Sequence, residues 1–254
     1  MRSRAAHQAA PLPTGAEKVA AVDAMFDAIA PGYDVTNRVI SLGLDVGWRR
    51  RTVRSLGLAA GSAVLDLACG TGDLCAELTR QGLSPIGADR SAGMLTAARR
   101  RFASAAASTR STPFVRGDGL ALPFRSGSLD GIVCGFALRN FAALPPVLAE
   151  CARVLRPGGR LALLEVDTPT QPVLRLGHRI WFGTVVPFVG GLVAARSGAP
   201  RARATAAYRY LPASVAYLPP PPELVSLIAA AGFDTAERRA LSGGIAQLLT
   251  GTRA

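Results

Sequence analysis

The chain has 254 residues, 49% of them hydrophobic, which is enough for one full core and excludes a disordered or fibrous protein. Its 29 Lys and Arg outweigh 17 Asp and Glu to give a net charge of +12, and Lys18 is the only lysine. This charge favours anionic surfaces, but aromatics are only 6% and no basic run exceeds three residues, so no nucleic acid partner is expected.

Residues 1–17 read as a disordered tail. They lack the apolar segment of a signal peptide and contain His7. Residues 18–56 read as a helical cap. An apolar stripe of Ala20, Val22, Met25, Phe26 and Ile29 is interrupted at Pro31-Gly32, and a second runs through Val39, Ile40, Leu42 and Leu44 toward Trp48. Next comes Val64-Leu65-Asp66-Leu67-Ala68-Cys69-Gly70-Thr71-Gly72-Asp73, an apolar strand that ends in a glycine loop and opens into a helix. Glycines there let the backbone approach a ligand closely, and the helix start offers free N–H groups.

Strands are expected at 63–68, 84–88, 113–117, 129–136 and 160–166, with helices near 73–81, 91–103 and 143–155. This alternation implies a parallel sheet with helices on both faces. Arg156-Pro157-Gly158-Gly159 reads as the turn before the fifth strand. Strands near 233–241 and 244–251 complete a seven-stranded, mostly parallel sheet as an antiparallel hairpin around Ser242-Gly243, and 18–254 form a single domain. Residues 168–220 break the alternation as an insertion after strand five. Within it, 180–195 are uncharged, too short for a bilayer span of about 20 residues. An apolar lid, an interfacial segment and a helix buried on the core all fit. The Arg-rich stretch 196–203 beside it suits lipid phosphates or simple solvation. Cys69, Cys75, Cys134 and Cys151 have no metal-ligand spacing, so no metal is expected, and their scatter suits reduced thiols in a cytoplasmic protein.

The second strand ends in Asp89, placed to accept the hydroxyls of a ribose. Loop and acid together imply a nucleoside-containing cofactor. The dinucleotide pattern needs a third glycine, and Cys75 stands in its place. With Asp66 before the loop, the run resembles the first motif of class I S-adenosylmethionine-dependent methyltransferases, whose fold is Rossmann-like.

Further motifs narrow the resemblance. Met25-Phe26-Asp27-Ala28-Ile29-Ala30-Pro31-Gly32-Tyr33-Asp34, Gly135-Phe136-Ala137-Leu138-Arg139-Asn140 and Tyr208-Arg209-Tyr210-Leu211-Pro212-Ala213-Ser214-Val215 are similar to elements of the ubiquinone/menaquinone biosynthesis C-methyltransferases. Arg153-Val154-Leu155-Arg156-Pro157-Gly158-Gly159 and Leu241-Ser242-Gly243-Gly244-Ile245 also match, and the likeness spans 19 to about 251. It implies C-methylation of a polyprenylated quinol, most simply demethylmenaquinol to menaquinol, with S-adenosylmethionine as cofactor. Cofactor contacts would be Asp66, Gly70, Thr71, Gly72, Asp89, Asp118, Gly119 and Gly135. Asp118-Gly119 stands where the family usually has Asn-Ala, and aspartate can accept from an adenine amino group but cannot donate.

Arg139 and Asn140 follow strand four, where open α/β sheets collect ligands, and are expected to hold the acceptor oxygens. Tyr33 is expected to close the site or pack beside it. The proton acceptor is open among His178, Asp34, Tyr33, Asp167 and Glu165. The resemblance further implies a lipophilic quinol partner, and the net charge suits peripheral contact with an anionic membrane surface at the inner face of the cell membrane. A homodimer stays open. So do a different aromatic acceptor and a non-catalytic, cofactor-binding subunit.

Overall fold

The computed structural model describes residues 14–30, 33–105, 112–186 and 214–254. Seven strands form one sheet: β1 (Ala63–Leu67), β2 (Ser84–Asp89), β3 (Phe114–Arg116), β4 (Leu129–Gly135), β5 (Leu155–Val166), β6 (Phe233–Leu241) and β7 (Ala246–Arg253). Their order is β3-β2-β1-β4-β5-β7-β6. The first five are mutually parallel, and β7 enters antiparallel between β5 and β6. The chain winds outward from β1 to β3, then returns to start the other half at β4. The crevice between the carboxyl ends of β1 and β4 is therefore the topological switch point, where such sheets bind ligands.

The helices follow from the two faces of the sheet. On β4 and β5, Ile132, Leu161 and Leu163 join a core covered by α6 (Leu144–Val154) and α8 (Pro221–Ala230). Their neighbours Val133, Ala162 and Leu164 point the other way, into a core with Trp48 and Val53 of α3 (Leu44–Ser55) and Leu74 and Leu78 of α4 (Asp73–Arg80). Side chains alternate along a strand, so a near-continuous apolar strand needs cover on both faces. Among the described residues, the remaining helices are α1 (Gly15–Ile29), α2 (Tyr33–Ile40), α5 (Ala92–Ala105) and α7 (Pro172–Ile180), the last continued by a π-turn over Trp181–Val185.

Several boundaries move. Helix α1 begins at Gly15, so 15–17 belong to it and not to a tail; 1–13 lie outside the described residues. Strand β5 begins at Leu155, because Leu155 pairs with Leu129 and the 156–159 turn is a bulge inside the strand. Strand β7 starts at Ala246, since Ser242–Gly244 close a 3-10 turn. Helix α8 was not anticipated. Its signals are prolines in its first turn and the spacing of buried Leu224 and Ile228.

Helix α7 is not a core helix. None of its residues is buried, and Val173, Leu176 and Ile180 are exposed. It is held instead by the Trp181 indole N–H, which donates to the Ile40 carbonyl at 2.9 Å. Among the described residues, no helix is long and apolar enough to cross a membrane. Most of the uncharged run, the Arg-rich stretch and 208–213 lie outside the described residues.

Candidate active site

Both central strands end in the left-handed region at the switch point. After β1, Ala68 has φ 56°, and after β4, Phe136 has φ 60°. Such conformations are costly for residues with a Cβ and persist where the surroundings impose them. They turn the chain sharply and leave the strand ends open to a cleft. Gly70 (φ +54°) lines that cleft, and a Cβ there would meet no protein atom within 4 Å, so it would project into free space. Gly72 answers a different need, because a Cβ on it would come within 2.9 Å of Phe102.

The cleft of about 900 Å³ is lined by Gly70, Asp89, Asp118, Gly119 and Gly135, and roofed by Val22 and Phe26 of α1. Asp89 accepts the N–H of Gly70 at 2.8 Å through Oδ2 and that of Ser91 at 2.8 Å through Oδ1. Burial pushes its pKa up, opposed by these backbone donors. Asp118 accepts the Leu120 N–H at 3.0 Å and pairs with Arg90, whose other arm reaches Asp23 of α1 at 3.1 Å. Arg90 and Asp23 went unnoticed in the sequence; the only signal is a charged residue directly after Asp89.

Three expected contacts sit behind this cleft. Asp66 accepts the Cys75 N–H at 3.0 Å, capping the first turn of α4, while its Oδ1 is buried with no partner among the described residues. Burial pushes its pKa to about 7. The Thr71 hydroxyl donates to Asp34 of α2. Asp66, Thr71 and Gly72 thus shape the loop, whereas Gly70, Asp89, Asp118, Gly119 and Gly135 face the space beside it.

A second cavity, of about 1260 Å³, opens on the other side of Tyr33 and Phe136, which line both. Its walls include Ile40, Leu44, Trp48, Val166, Leu174 and Ile245, with Asp45, Arg49, Arg139 and His178 among its polar groups. Asn140 lines the first cavity instead. Tyr33 packs edge-on against Phe26 with centroids 5.9 Å apart. Burial raises its pKa, opposed by the Asn37 hydrogen bond and the charges of Arg139 and Arg49. His178 is kept below its ordinary value by burial, with Asp167 opposing. Of the other base candidates, Glu165 pairs with Arg139, Asp167 with Arg238, and Asp34 accepts a hydrogen bond from the Thr71 hydroxyl.

The first cavity fits a nucleoside cofactor: a glycine loop at a helix start, a half-buried acid at the end of β2 and a second acid after β3. The family model for the ubiE/COQ5 methyltransferase family matches residues 14–253. The chain belongs to that family. This methyltransferase is 42% identical over 231 residues to a demethylmenaquinone methyltransferase of Thermus thermophilus, covering 90% of this chain and 100% of the relative. It is 41% identical over 239 residues to the same-named protein of Deinococcus radiodurans, covering 93% and 94%. The fold is also that of a methyltransferase from Aquifex aeolicus described as SAM-dependent (TM-score 0.57, 13% identity, 81% of this chain and 89% of that one). It likewise matches Haemonchus contortus phosphoethanolamine N-methyltransferase 2 in complex with S-adenosyl-L-methionine (TM-score 0.57, 12% identity, 81% and 52%). The protein is a class I, S-adenosylmethionine-dependent methyltransferase.

Proposed function

We propose that this methyltransferase methylates a ring carbon of a polyprenylated quinol, converting demethylmenaquinol to menaquinol. One observation carries the reading: a cleft that carries Asp89 and Asp118 and a more strongly apolar cavity abut at Tyr33 and Phe136. The names of the relatives point the same way.

The cofactor supplies an electrophilic methyl group, so the protein's task is placement and activation of the acceptor. Asp89 holds the ribose, Asp118 and Gly119 border the adenine, Gly70 lets backbone approach, and Gly135 lines the cleft where a Cβ would collide with Leu74. Asp66, Thr71 and Gly72 keep the loop in shape. Tyr33 closes the junction of the two cavities, with Asn140 on the cofactor side of it. A carbon of a quinol, unlike one of a quinone, is electron-rich enough to attack, so Arg139 stabilises the ring oxygen as its proton leaves and the carbon takes the methyl from the sulfonium. The C–H proton of that carbon then leaves as the oxygen regains a proton, which restores the quinol. His178 lines the acceptor cavity and burial favours its neutral form, the form that can take the hydroxyl proton.

Exposed Val173 and Leu176 of α7, with Val35, Val39 and Leu42, form an apolar rim interspersed with Arg38, Arg175 and Arg179. On a chain of net charge +12 this suits the face of an anionic membrane, where the substrate would reside. Vesicle flotation tests it, and binding independent of anionic lipid would remove the electrostatic part. A homodimer through the same rim would instead appear as a doubled mass in sedimentation.

The deciding experiment supplies methyl-labelled S-adenosylmethionine and a short-chain demethylmenaquinone, with and without reductant. Label on the ring only with reductant is expected. Cofactor binding with no labelled ring would shift the assignment to another aromatic acceptor or to a non-catalytic subunit.

A further inference from the structure

The Gly135–Asn140 signature and the 208–215 element lie far apart in sequence, yet their described ends meet beside the acceptor cavity. The Arg139 Nε donates to Ser214 Oγ at 3.1 Å, and its Nη1 pairs with Glu165 Oε1 at the end of β5. Glu165 also accepts the Val166 N–H at 2.9 Å and the Arg139 backbone N–H at 3.3 Å. All three residues are buried, and Glu165 and Ser214 are wholly inaccessible.

We propose that Glu165 and Ser214 are positioning residues that aim Arg139 at the acceptor oxygen, and that the Glu165 charge sets the pH at which the acceptor hydroxyl ionises. The inference rests on the quinol reading. A guanidinium is planar, so fixing Nε and Nη1 fixes where Nη2 points. That nitrogen has no partner among the described residues, on a side chain that lines the acceptor cavity. Glu165 cannot swing away, because its oxygens serve two backbone N–H groups besides the guanidinium. A buried ion pair is weak support for stability, since desolvation can exceed the Coulombic gain, and this one sits where orientation is needed.

The charge argument has a definite sign. Among the described residues, the charged and titratable groups facing the cavity are Tyr33 from α2, Asp45 and Arg49 (an ion pair) from α3, His178 from α7 and Arg139. Glu165 stands behind Arg139 and offsets its positive potential. Removing that negative charge leaves Arg139 uncompensated, which favours the quinolate and moves the acid limb of the kcat profile to lower pH.

The test compares the full-length parent with Glu165→Gln and Ser214→Ala, measuring methyl transfer to the reduced short-chain acceptor across pH and cofactor Kd by calorimetry. Expected are an unchanged cofactor Kd, a kcat loss on the order of 100-fold for Glu165→Gln with its acid limb displaced to lower pH, and a smaller loss for Ser214→Ala with the limb unmoved. A lowered melting temperature with parental kcat and an unmoved limb would mean a merely structural role and overturns the inference. If Glu165→Gln does not fold, parental kcat in Ser214→Ala overturns it. A parent that transfers nothing to the quinol overturns the proposed function and this inference together, whereas an active parent matched by both variants overturns the inference alone.

Discussion

The two cavities are built by different parts of the molecule. The cofactor cleft is made by strand ends and backbone: Gly70, Asp89 and Gly135 occupy positions dictated by β1, β2 and β4. The acceptor cavity is made by side chains on α2, α3 and α7, which stand outside the sheet and leave Leu42, Leu44 and Leu174 partly in solvent. A sheet-borne site is held by the cooperative core and changes little with surface substitutions. A helix-borne site can be re-lined without disturbing the fold. The difference teaches that cofactor use is tied to the architecture, whereas acceptor choice resides in elements attached to it.

The largest expected effect lies in the scaffold of the cofactor side. Burial raises Asp66 from 3.8 to about 7, so between those values the unfolded chain releases this proton while the folded protein keeps it. Stability should therefore fall as pH rises through that window and level off above it, by about 4 kcal/mol for three pH units. Asp66→Asn cannot titrate, and denaturant melts at pH 5 and pH 8 should show this slope removed; an unchanged slope would place its origin elsewhere.

Next comes Arg139→Ala, expected to lower kcat by about 10²–10³-fold with cofactor Kd unchanged. Parental turnover in this variant would end its assigned role. Asp89→Ala should do the reverse, weakening cofactor binding by about 100-fold in calorimetry through loss of charged hydrogen bonds while the fold persists. Were the cofactor to bind it as tightly as the parent, the ribose assignment would fail. The smallest effect is Leu174→Ala on α7. Trimming this half-exposed side chain should raise KM for a prenylated acceptor by roughly fivefold, about 1 kcal/mol, and leave KM for a tail-less acceptor unchanged.

Much of the cofactor side was readable before any coordinates. The loop at 68–72 and Asp89 are local signals, because a strand–turn–helix specifies its own geometry over about ten residues. Which of the loop residues face the cleft was not readable: Asp66 and Thr71 turn behind it because the β1–α4 turn must satisfy the Cys75 N–H and bind α2 through Asp34. The acceptor side was legible only as composition, an uncharged run and a few motifs. Its walls come from stretches far apart in sequence, such as Trp48, Phe136 and Leu174.

By itself, the sequence determined the α/β alternation, the seven strands, the glycine loop and the family, because periodicity and turn chemistry act within one element and its neighbour. Only the tertiary structure decided that Tyr33 and Phe136 join two cavities, that Arg90 bridges Asp23 and Asp118, and that Arg139 is clasped between Glu165 and Ser214. Those relations depend on how the sheet brings distant segments together, and the burial of charge that makes them matter exists only once the core has closed.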